Sequence, residues 1–157
     1  GLIGGILTSA ILANYEADLA AIPKLAFFIP LVAAMGGNAG VQSSAIVVQG
    51  LANRTMGAEA ILPKLKKELL VGLINGLICS AILLTWNIII GYDSMLGLTV
   101  SLALISVILF ASIFGTITPL ILNRLNIDPA LATGPFITTT NDILGLTVYF
   151  LIGSLLL

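Results

Sequence analysis

The fold class that this sequence predicts is an all-α membrane bundle of five transmembrane helices, the first of them truncated. Of the 157 residues, 59% are hydrophobic and 8% are charged, whereas soluble globular chains carry about 25% charged residues. The few charges leave long neutral stretches, which approach or exceed the roughly 20 residues that a helix needs to cross a bilayer. We therefore treat residues 1–157 as a single transmembrane domain and expect no soluble domain in this chain.

The neutral stretches give the helices in chain order. Residues 1–15 are apolar but too short for a span, and the chain begins with Gly, so we expect the tail of a first helix whose start is missing. Four complete helices are predicted at residues 25–53, 69–92, 94–123 and 129–157. Asp93 or Ser94 can cap the fourth helix, and Asp128 followed by Pro129 is a typical helix start.

Basic residues are unevenly distributed among the connections between these helices. Five of the six lie in the second and fourth connections: Arg54, Lys64, Lys66, Lys67 and Arg124. Lys24 alone lies in the first connection. Because basic residues concentrate on the cytoplasmic side of membrane proteins, we expect the second and fourth connections to face the cytoplasm and the last helix to run outward.

Small and polar residues share the middle of the second helix. Gly36 and Gly40 form a GxxxG pair, a spacing that lets two helix backbones approach closely within a membrane. Asn38 and Gln42 lie four residues apart beside this pair, where their amides can bind a partner helix or line a wet path. The pattern predicts a tight helix crossing that is compatible with a functional surface.

Asp142 is the most informative residue of the sequence, because residues 129–157 contain no other charge. In one continuous helix rising about 1.5 Å per residue, it would lie roughly 20 Å from either end. An ionised Asp at that depth costs roughly 2.5–3.5 kcal/mol on insertion scales. The chain has no histidine, and its basic residues lie between or at the edges of the neutral stretches. The counter-charge is therefore expected from outside the chain, as a cation or a proton.

A polar stripe surrounds this carboxylate on the last helix. Its members follow steps of three and four residues: Pro135, Thr138, Asp142, Gly145 and Tyr149, with Thr139 and Asn141 on its flanks. The stripe is expected to face protein or water, because lipid would leave its hydrogen-bonding groups without partners. For the threonines and Asn141, helix packing is an alternative role to ion binding.

Other residues indicate structural roles. Glu68 lies one turn after Lys64 at the membrane edge, where we expect an interfacial ion pair rather than an ion ligand. We expect no enzyme, since no nucleophile and base set, phosphate loop or metal-hydrolase spacing is present. We also expect no nucleic-acid partner, because the sequence lacks a basic patch that could neutralise phosphates.

Two patterns at a defined spacing carry a resemblance to a known family. The first is Gly-Gly-Asn-Ala-Gly-Val-Gln at residues 36–42. The second is Asp-Pro-Ala-Leu at 128–131, followed by Gly-Pro-Phe at 134–136 and Asn-Asp-Ile-Leu-Gly-Leu at 141–146. Together they resemble the transmembrane domain of the MgtE magnesium channel and transporter family, and the likeness covers nearly the whole chain.

This resemblance implies a homodimer in a bacterial inner membrane, with a Mg²⁺ path at the subunit interface lined by the second and fifth helices. It implies that Asp142 holds a largely hydrated Mg²⁺, that Thr138 lies one turn toward the cytoplasm, and that Asp128 lies at the cytoplasmic mouth. The expected metal contacts are Asp142, Thr138 and Asn141, and the expected pore-lining or mouth residues are Asp128, Gly134, Gly145, Asn38 and Gln42.

The sequence departs from the family pattern in two respects. Gly134 stands where some members carry Asn, so a side-chain contact is absent there. Family members usually also carry an acidic N-terminal domain and a CBS pair, which are not in this sequence. We expect either an excised membrane domain or a member with different gating.

The chemistry of the residues supports the choice of ion. Mg²⁺ gives up its waters reluctantly and is usually held by one or two carboxylates, so two copies of Asp142 on a dimer axis would match one hydrated ion. Residues 129–157 contain no Cys or His that could serve as a soft ligand for Zn²⁺ or Cu⁺. The alternatives are a proton-coupled cation carrier, in which Asp142 binds and releases the proton, and a membrane assembly subunit that transports nothing.

Overall fold

A computed structural model of the chain describes residues 2–53 and 61–157, and every regular element within those ranges is helical. The α-helices are α1 (Leu2–Asn14), α2 (Glu16–Ala21), α3 (Ile29–Ala52), α4 (Ile61–Ile89), α5 (Ser94–Arg124) and α6 (Pro135–Leu156). Two short 3-10 helices, Pro23–Phe28 and Pro129–Ala132, precede α3 and α6. The predicted all-α fold class is confirmed.

Four helical segments in the described ranges are long and apolar enough to cross a membrane. They are Pro23–Ala52, Leu62–Ile89, Ser94–Arg124 and Pro135–Leu156, and they correspond to the four complete helices predicted from the sequence. The apolar helix α1 has 13 residues, so the count of five spans stays a prediction. Arg54, one of the basic residues used to orient the chain, lies outside the described residues.

Helix α5 lies at the centre of the bundle, packed against α3, α4 and α6. It is the most buried of the four long segments, and α4 is the least buried. A Cβ on Gly72 of α4 would lie 2.9 Å from the Ser112 hydroxyl of α5, and one on Gly76 would lie 3.4 Å from the Cα of Ile105. Moving from Gly72 to Gly76 along α4, the facing residue of α5 moves back from Ser112 to Ile105, so the two helices are antiparallel.

Helices α3 and α5 cross at their glycines. A Cβ on Gly115 of α5 would overlap the backbone carbonyl of Gly40 in α3, and a Cβ on Gly36 would lie 2.9 Å from Val107. Glycine has only a hydrogen atom as its side chain, and this allows the two backbones to approach so closely. The tight crossing predicted from the GxxxG pair is confirmed.

The segment before α6 is folded differently from the sequence prediction. Asp128 accepts a hydrogen bond from the Ala130 N–H at 2.9 Å, but it caps a 3-10 helix that ends at Ala132. The Ser44 hydroxyl of α3 donates to the carbonyl of Ala132 and holds this short helix against the bundle. A new helix, α6, then begins at Pro135 after Gly134, whose φ is 56°.

This break corrects the predicted position of Asp142 in its helix. Asp142 lies seven positions after Pro135, about 10 Å from the start of α6 at the usual helical rise. The sequence-based distance of roughly 20 Å assumes one continuous helix across the neutral stretch. The carboxylate is therefore near the first turns of α6, within reach of the connection that precedes it.

Two of the predicted polar interactions at helix ends are confirmed. Asp93 caps α5 by accepting hydrogen bonds from the N–H groups of Met95 and Leu96 at 2.9 and 3.2 Å. Lys64 and Glu68 form an ion pair of 2.9 Å along α4. Glu68 is only 5% exposed, whereas the Lys64 side chain is 18% exposed, so the acid is the more deeply buried partner.

A hydrogen bond from α3 completes the environment of Glu68. The Ser43 hydroxyl donates to its Oε2 at 3.1 Å, so the carboxylate joins α3 to α4 while Lys64 supplies the counter-charge. Removing the lysine would leave a buried anion without a compensating charge, which is more costly than losing a surface ion pair.

Lys64→Gln is therefore expected to destabilise the protein by ~1–3 kcal/mol, below the ~3–5 kcal/mol of a fully buried pair because the Lys64 side chain is 18% exposed. The measurement is thermal unfolding in detergent. Lys66→Gln, an exposed lysine on the same helix, is the matched control and should leave the melting temperature unchanged. Equal melting temperatures for the two variants would contradict a stabilising role of the buried pair.

Candidate functional site

Asp142 lies half-buried on the wall of a groove between α1 and α6. The groove has a volume of about 640 Å³. The residues that line it are Gly4, Gly5 and Thr8 of α1 together with Gly134, Pro135, Thr138, Thr139 and Asp142 around the start of α6. The acid is the only titratable side chain in this lining.

The Asp142 carboxylate has no hydrogen-bond or ion-pair partner within the described ranges 2–53 and 61–157. The one ion pair recorded there joins Lys64 to Glu68 on α4. The lack of an intrachain counter-charge, expected from the sequence, therefore holds for the described part of the chain. A carboxylate in this setting favours a cation or a proton that arrives through the groove.

Thr138 accompanies Asp142 in the groove, one helical turn earlier. Its hydroxyl donates to the backbone carbonyl of Gly134 or Pro135, both at 3.2 Å. The hydroxyl hydrogen is thus directed to the helix backbone, and the oxygen keeps lone pairs that can accept hydrogen bonds from water. The predicted pairing of Thr138 with Asp142 on one face of α6 is present in the fold.

Helix α1 forms one wall of the groove, a contribution that the sequence reasoning missed. A Cβ on Gly4 would lie 2.7 Å from Cγ2 and 2.8 Å from Oγ1 of Thr139, so the glycine allows α1 to lie directly against α6. Gly5 and Thr8 extend the same wall. The signal that could have indicated it is the Gly4-Gly5 pair inside an otherwise apolar helix.

Asn141 points toward α3 and not into the groove. It is 1% exposed, and neither its amide nitrogen nor its amide oxygen has a hydrogen-bond partner among the described residues. A Cβ added to Gly40 of α3 would overlap this amide. Its position one residue before Asp142 turns it by about 100° around the helix, so packing against α3 is the role that the contacts indicate within one chain.

The far end of the predicted polar stripe also turns inward. Gly145 is buried, with a Cβ position 3.1 Å from Val107 of α5. The Tyr149 hydroxyl donates to the backbone carbonyl of Leu25 at 2.8 Å, and its ring is 1% exposed. Helix α5 and the 3-10 helix before α3 therefore cover the stripe beyond Asp142, and the groove is confined to the first turns of α6.

Asp128 and Gly134 bracket the short 3-10 helix that leads to the groove. Asp128 is exposed and uses Oδ1 to cap that helix, which leaves its second carboxylate oxygen available to solvent. Gly134 lines the groove with backbone alone. Its φ of 56° is a conformation that side-chain-bearing residues rarely adopt.

Asn38 and Gln42 lie on an exposed face of α3. They do not line the groove, but their exposed face of α3 adjoins the contact between α3 and α6. A Cβ on Gly37 would lie 3.8 Å from Cγ2 of Thr138. Among residues 2–53 and 61–157, neither Asn38 nor Gln42 has a side-chain hydrogen-bond partner, and both lie next to the groove.

The described residues contain no set of side chains that could coordinate a dehydrated metal ion. They contain no group of three or more His, Cys, Asp or Glu side chains that could hold a metal. A single carboxylate with hydroxyl and backbone oxygens nearby is suited to an ion that keeps most of its own waters.

Comparisons with known proteins agree with one another. The family model named MgtE, described as a divalent cation transporter, matches residues 29–152. The chain is 37% identical over 150 residues to the magnesium transporter MgtE of Bacillus subtilis, an alignment covering 96% of this chain and 33% of that protein.

Two further relatives carry the same name. Identity is 35% over 159 residues with the protein of Thermus thermophilus, covering 99% of this chain and 34% of the relative. It is 34% over 154 residues with the protein of Enterococcus faecalis, covering 96% and 33%. The chain thus spans about a third of the length of each relative.

The contact between α1 and α6 can be tested with the two adjacent glycines. Gly4→Ala places a methyl group against Thr139 and should lower the stability by ~1–3 kcal/mol, the usual cost of overpacking. Gly5→Ala is the matched control, since no atom lies within 4 Å of its Cβ position. Thermal unfolding in detergent is the measurement, and a Gly4→Ala protein as stable as Gly5→Ala would contradict the close contact.

Proposed function

The chain belongs to the MgtE family of divalent cation transporters, and from that premise we propose that it carries Mg²⁺ across a membrane through a path formed by two copies. In this proposal a hydrated Mg²⁺ rests between the paired Asp142 carboxylates. The relatives are transporters and not enzymes, in line with the absence of catalytic motifs from the sequence.

The observation that carries the proposal is the Asp142 carboxylate on the wall of an open groove, where no described residue pairs with it. A charge inside a membrane segment is costly, and such residues normally face a water-filled cavity and mark ion pathways. The cost falls when a cation passes, because the ion supplies the missing charge. The same carboxylate buried against a lysine, as Glu68 is, would have no affinity left for a transported ion.

The size of the groove supports a hydrated ion. Six waters around Mg²⁺ occupy about 180 Å³ at roughly 30 Å³ each, well below the groove's volume of about 640 Å³. The Thr138 oxygen and the backbone around Gly134 can bind those waters through hydrogen bonds. Such outer contacts require no dehydration of an ion that loses its waters reluctantly.

Two copies of the chain are needed for the charge to balance. One Asp142 offers a single negative charge, whereas two on a common axis match one divalent ion. The exposed amides of Asn38 and Gln42 favour the same arrangement, because lipid would leave their donors and acceptors without partners. A second copy that covers this face of α3 would give them partners and would close the groove on its open side.

The remaining predicted site residues take roles that follow from their positions. Asp128, exposed at the connection before α6, would attract cations at the mouth of the path. Gly145 and Asn141 pack against neighbouring helices, and we propose that they act by holding α6 in register.

The basic residues suggest how the protein lies in the membrane. In the antiparallel pair of α4 and α5, the lysines at the start of α4 and Arg124 at the end of α5 lie at one end of the bundle. Lys24 lies at the start of the Pro23–Ala52 segment, which places it at the other end of the bundle from Arg124. By the positive-inside rule, we propose that the Arg124 end faces the cytoplasm of a bacterial cell membrane.

Asp142→Asn keeps the size of the side chain but removes its charge. We expect a loss of Mg²⁺ flux of about tenfold or more, since each 1.4 kcal/mol of lost ion binding is worth a factor of ten. The measurement is Mg²⁺ uptake into vesicles that contain the reconstituted protein. Glu16→Gln, which neutralises an exposed acid outside the groove, is the matched control and should keep the wild-type rate.

Three outcomes would contradict the proposal. Wild-type flux in Asp142→Asn would remove the carboxylate from the path. Flux that stops when the pH gradient is collapsed would favour a proton-coupled carrier that uses Asp142 as the proton site. A protein that forms dimers but moves no divalent ion would instead indicate a membrane assembly subunit.

A further inference from the structure

A second groove lies between α3 and α4, away from Asp142. It has a volume of about 430 Å³. Its walls are almost entirely apolar, and the side chains that define them include Phe27, Leu31, Ile82, Leu83 and Trp86, with Tyr92 at one end. None of the residues that line this groove lines the groove of Asp142.

The position of this groove indicates what surrounds it. It runs between two segments long and apolar enough to cross a membrane, Pro23–Ala52 and Leu62–Ile89. Ile82 and Trp86 are 65% and 56% exposed on its rim, so its open side faces the hydrocarbon of the bilayer. Its volume exceeds by more than tenfold the roughly 30 Å³ share of one water, and leaving it empty would forfeit dispersion contacts along the whole lining.

A positive charge stands at the Tyr92 end of the groove. The Lys24 Nζ lies 4.8 Å from the centroid of the Tyr92 ring, and the ring packs edge-on against Phe28 at 6.2 Å. Lys24 is exposed and forms no ion pair within the described ranges. The Asp93 carboxylate, next to Tyr92 in sequence, accepts hydrogen bonds from two backbone N–H groups of α5 and forms no ion pair with Lys24.

We propose that this groove binds one acyl chain of an anionic phospholipid, whose phosphate pairs with Lys24. The apolar walls match the acyl chain, and the unpaired ammonium matches the phosphate and the negative headgroup. A zwitterionic lipid fits the same walls but offers Lys24 no net charge. The site is separate from the proposed ion path, so it is present whether or not Asp142 carries an ion.

Trp86 provides the test, because it is the only tryptophan of the chain and lines the groove. The 157-residue chain is reconstituted in vesicles that contain a fixed fraction of dibrominated phosphatidylglycerol or dibrominated phosphatidylcholine, and bromine quenching of Trp86 fluorescence gives their relative affinities. We expect a preference for the anionic lipid of about fivefold, the effect of one basic residue near an anionic lipid surface.

Three variants separate the parts of the site. Lys24→Gln should abolish the preference while both lipids still quench, and Leu31→Phe should weaken quenching by both lipids because it fills the groove. Lys66→Gln removes an exposed lysine near the opposite end of α4 and should keep the wild-type preference.

Equal quenching by the two lipids in the wild type would overturn the proposal, as would a preference that survives Lys24→Gln. Unchanged quenching in Leu31→Phe would show that no acyl chain occupies the groove. An absence of quenching by either lipid would show that protein covers Trp86, which also excludes a lipid site.

Discussion

The structure depends on the constraint that a charge inside a membrane needs a partner. Within the bundle, the charge of Glu68 is paired with Lys64, and its carboxylate also accepts a hydrogen bond from Ser43. Asp142 is the exception among the acids of the described spans, because it lies on an open groove without a counter-charge. Packing explains why the exception is tolerated, since Gly4 brings α1 against α6 and leaves the carboxylate at a wall rather than in the core.

Much of this arrangement can be predicted from the sequence, because a membrane restricts the possible patterns. A long neutral stretch can only be a span, so the four long helices and the cap at Asp93 follow from the placement of charges. Glycine spacing predicts the crossing at Gly36 and Gly40, because close backbone approach requires small residues. Steps of three and four residues place Thr138 beside Asp142, which the groove lining reproduces.

The features that escape prediction depend on tertiary contacts or on backbone conformation. Pro129 and Pro135 are both suitable helix starts, and only the positive φ of Gly134 decides that the long helix begins at the second. The Gly4-Gly5 pair shows that α1 can approach another helix closely, but nothing in an isolated helix tells that its neighbour is α6. Sequence proximity groups Asn141 with Asp142, although one helical step turns it toward Gly40.

The most direct test of the central claim is the stoichiometry of divalent cation binding to the purified protein. If Asp142 of two copies holds one hydrated ion, a Mg²⁺ titration followed by calorimetry should give one site per two chains, and Asp142→Asn should abolish that site while the protein remains dimeric. One site per single chain, or binding of equal strength in Asp142→Asn, would contradict the account.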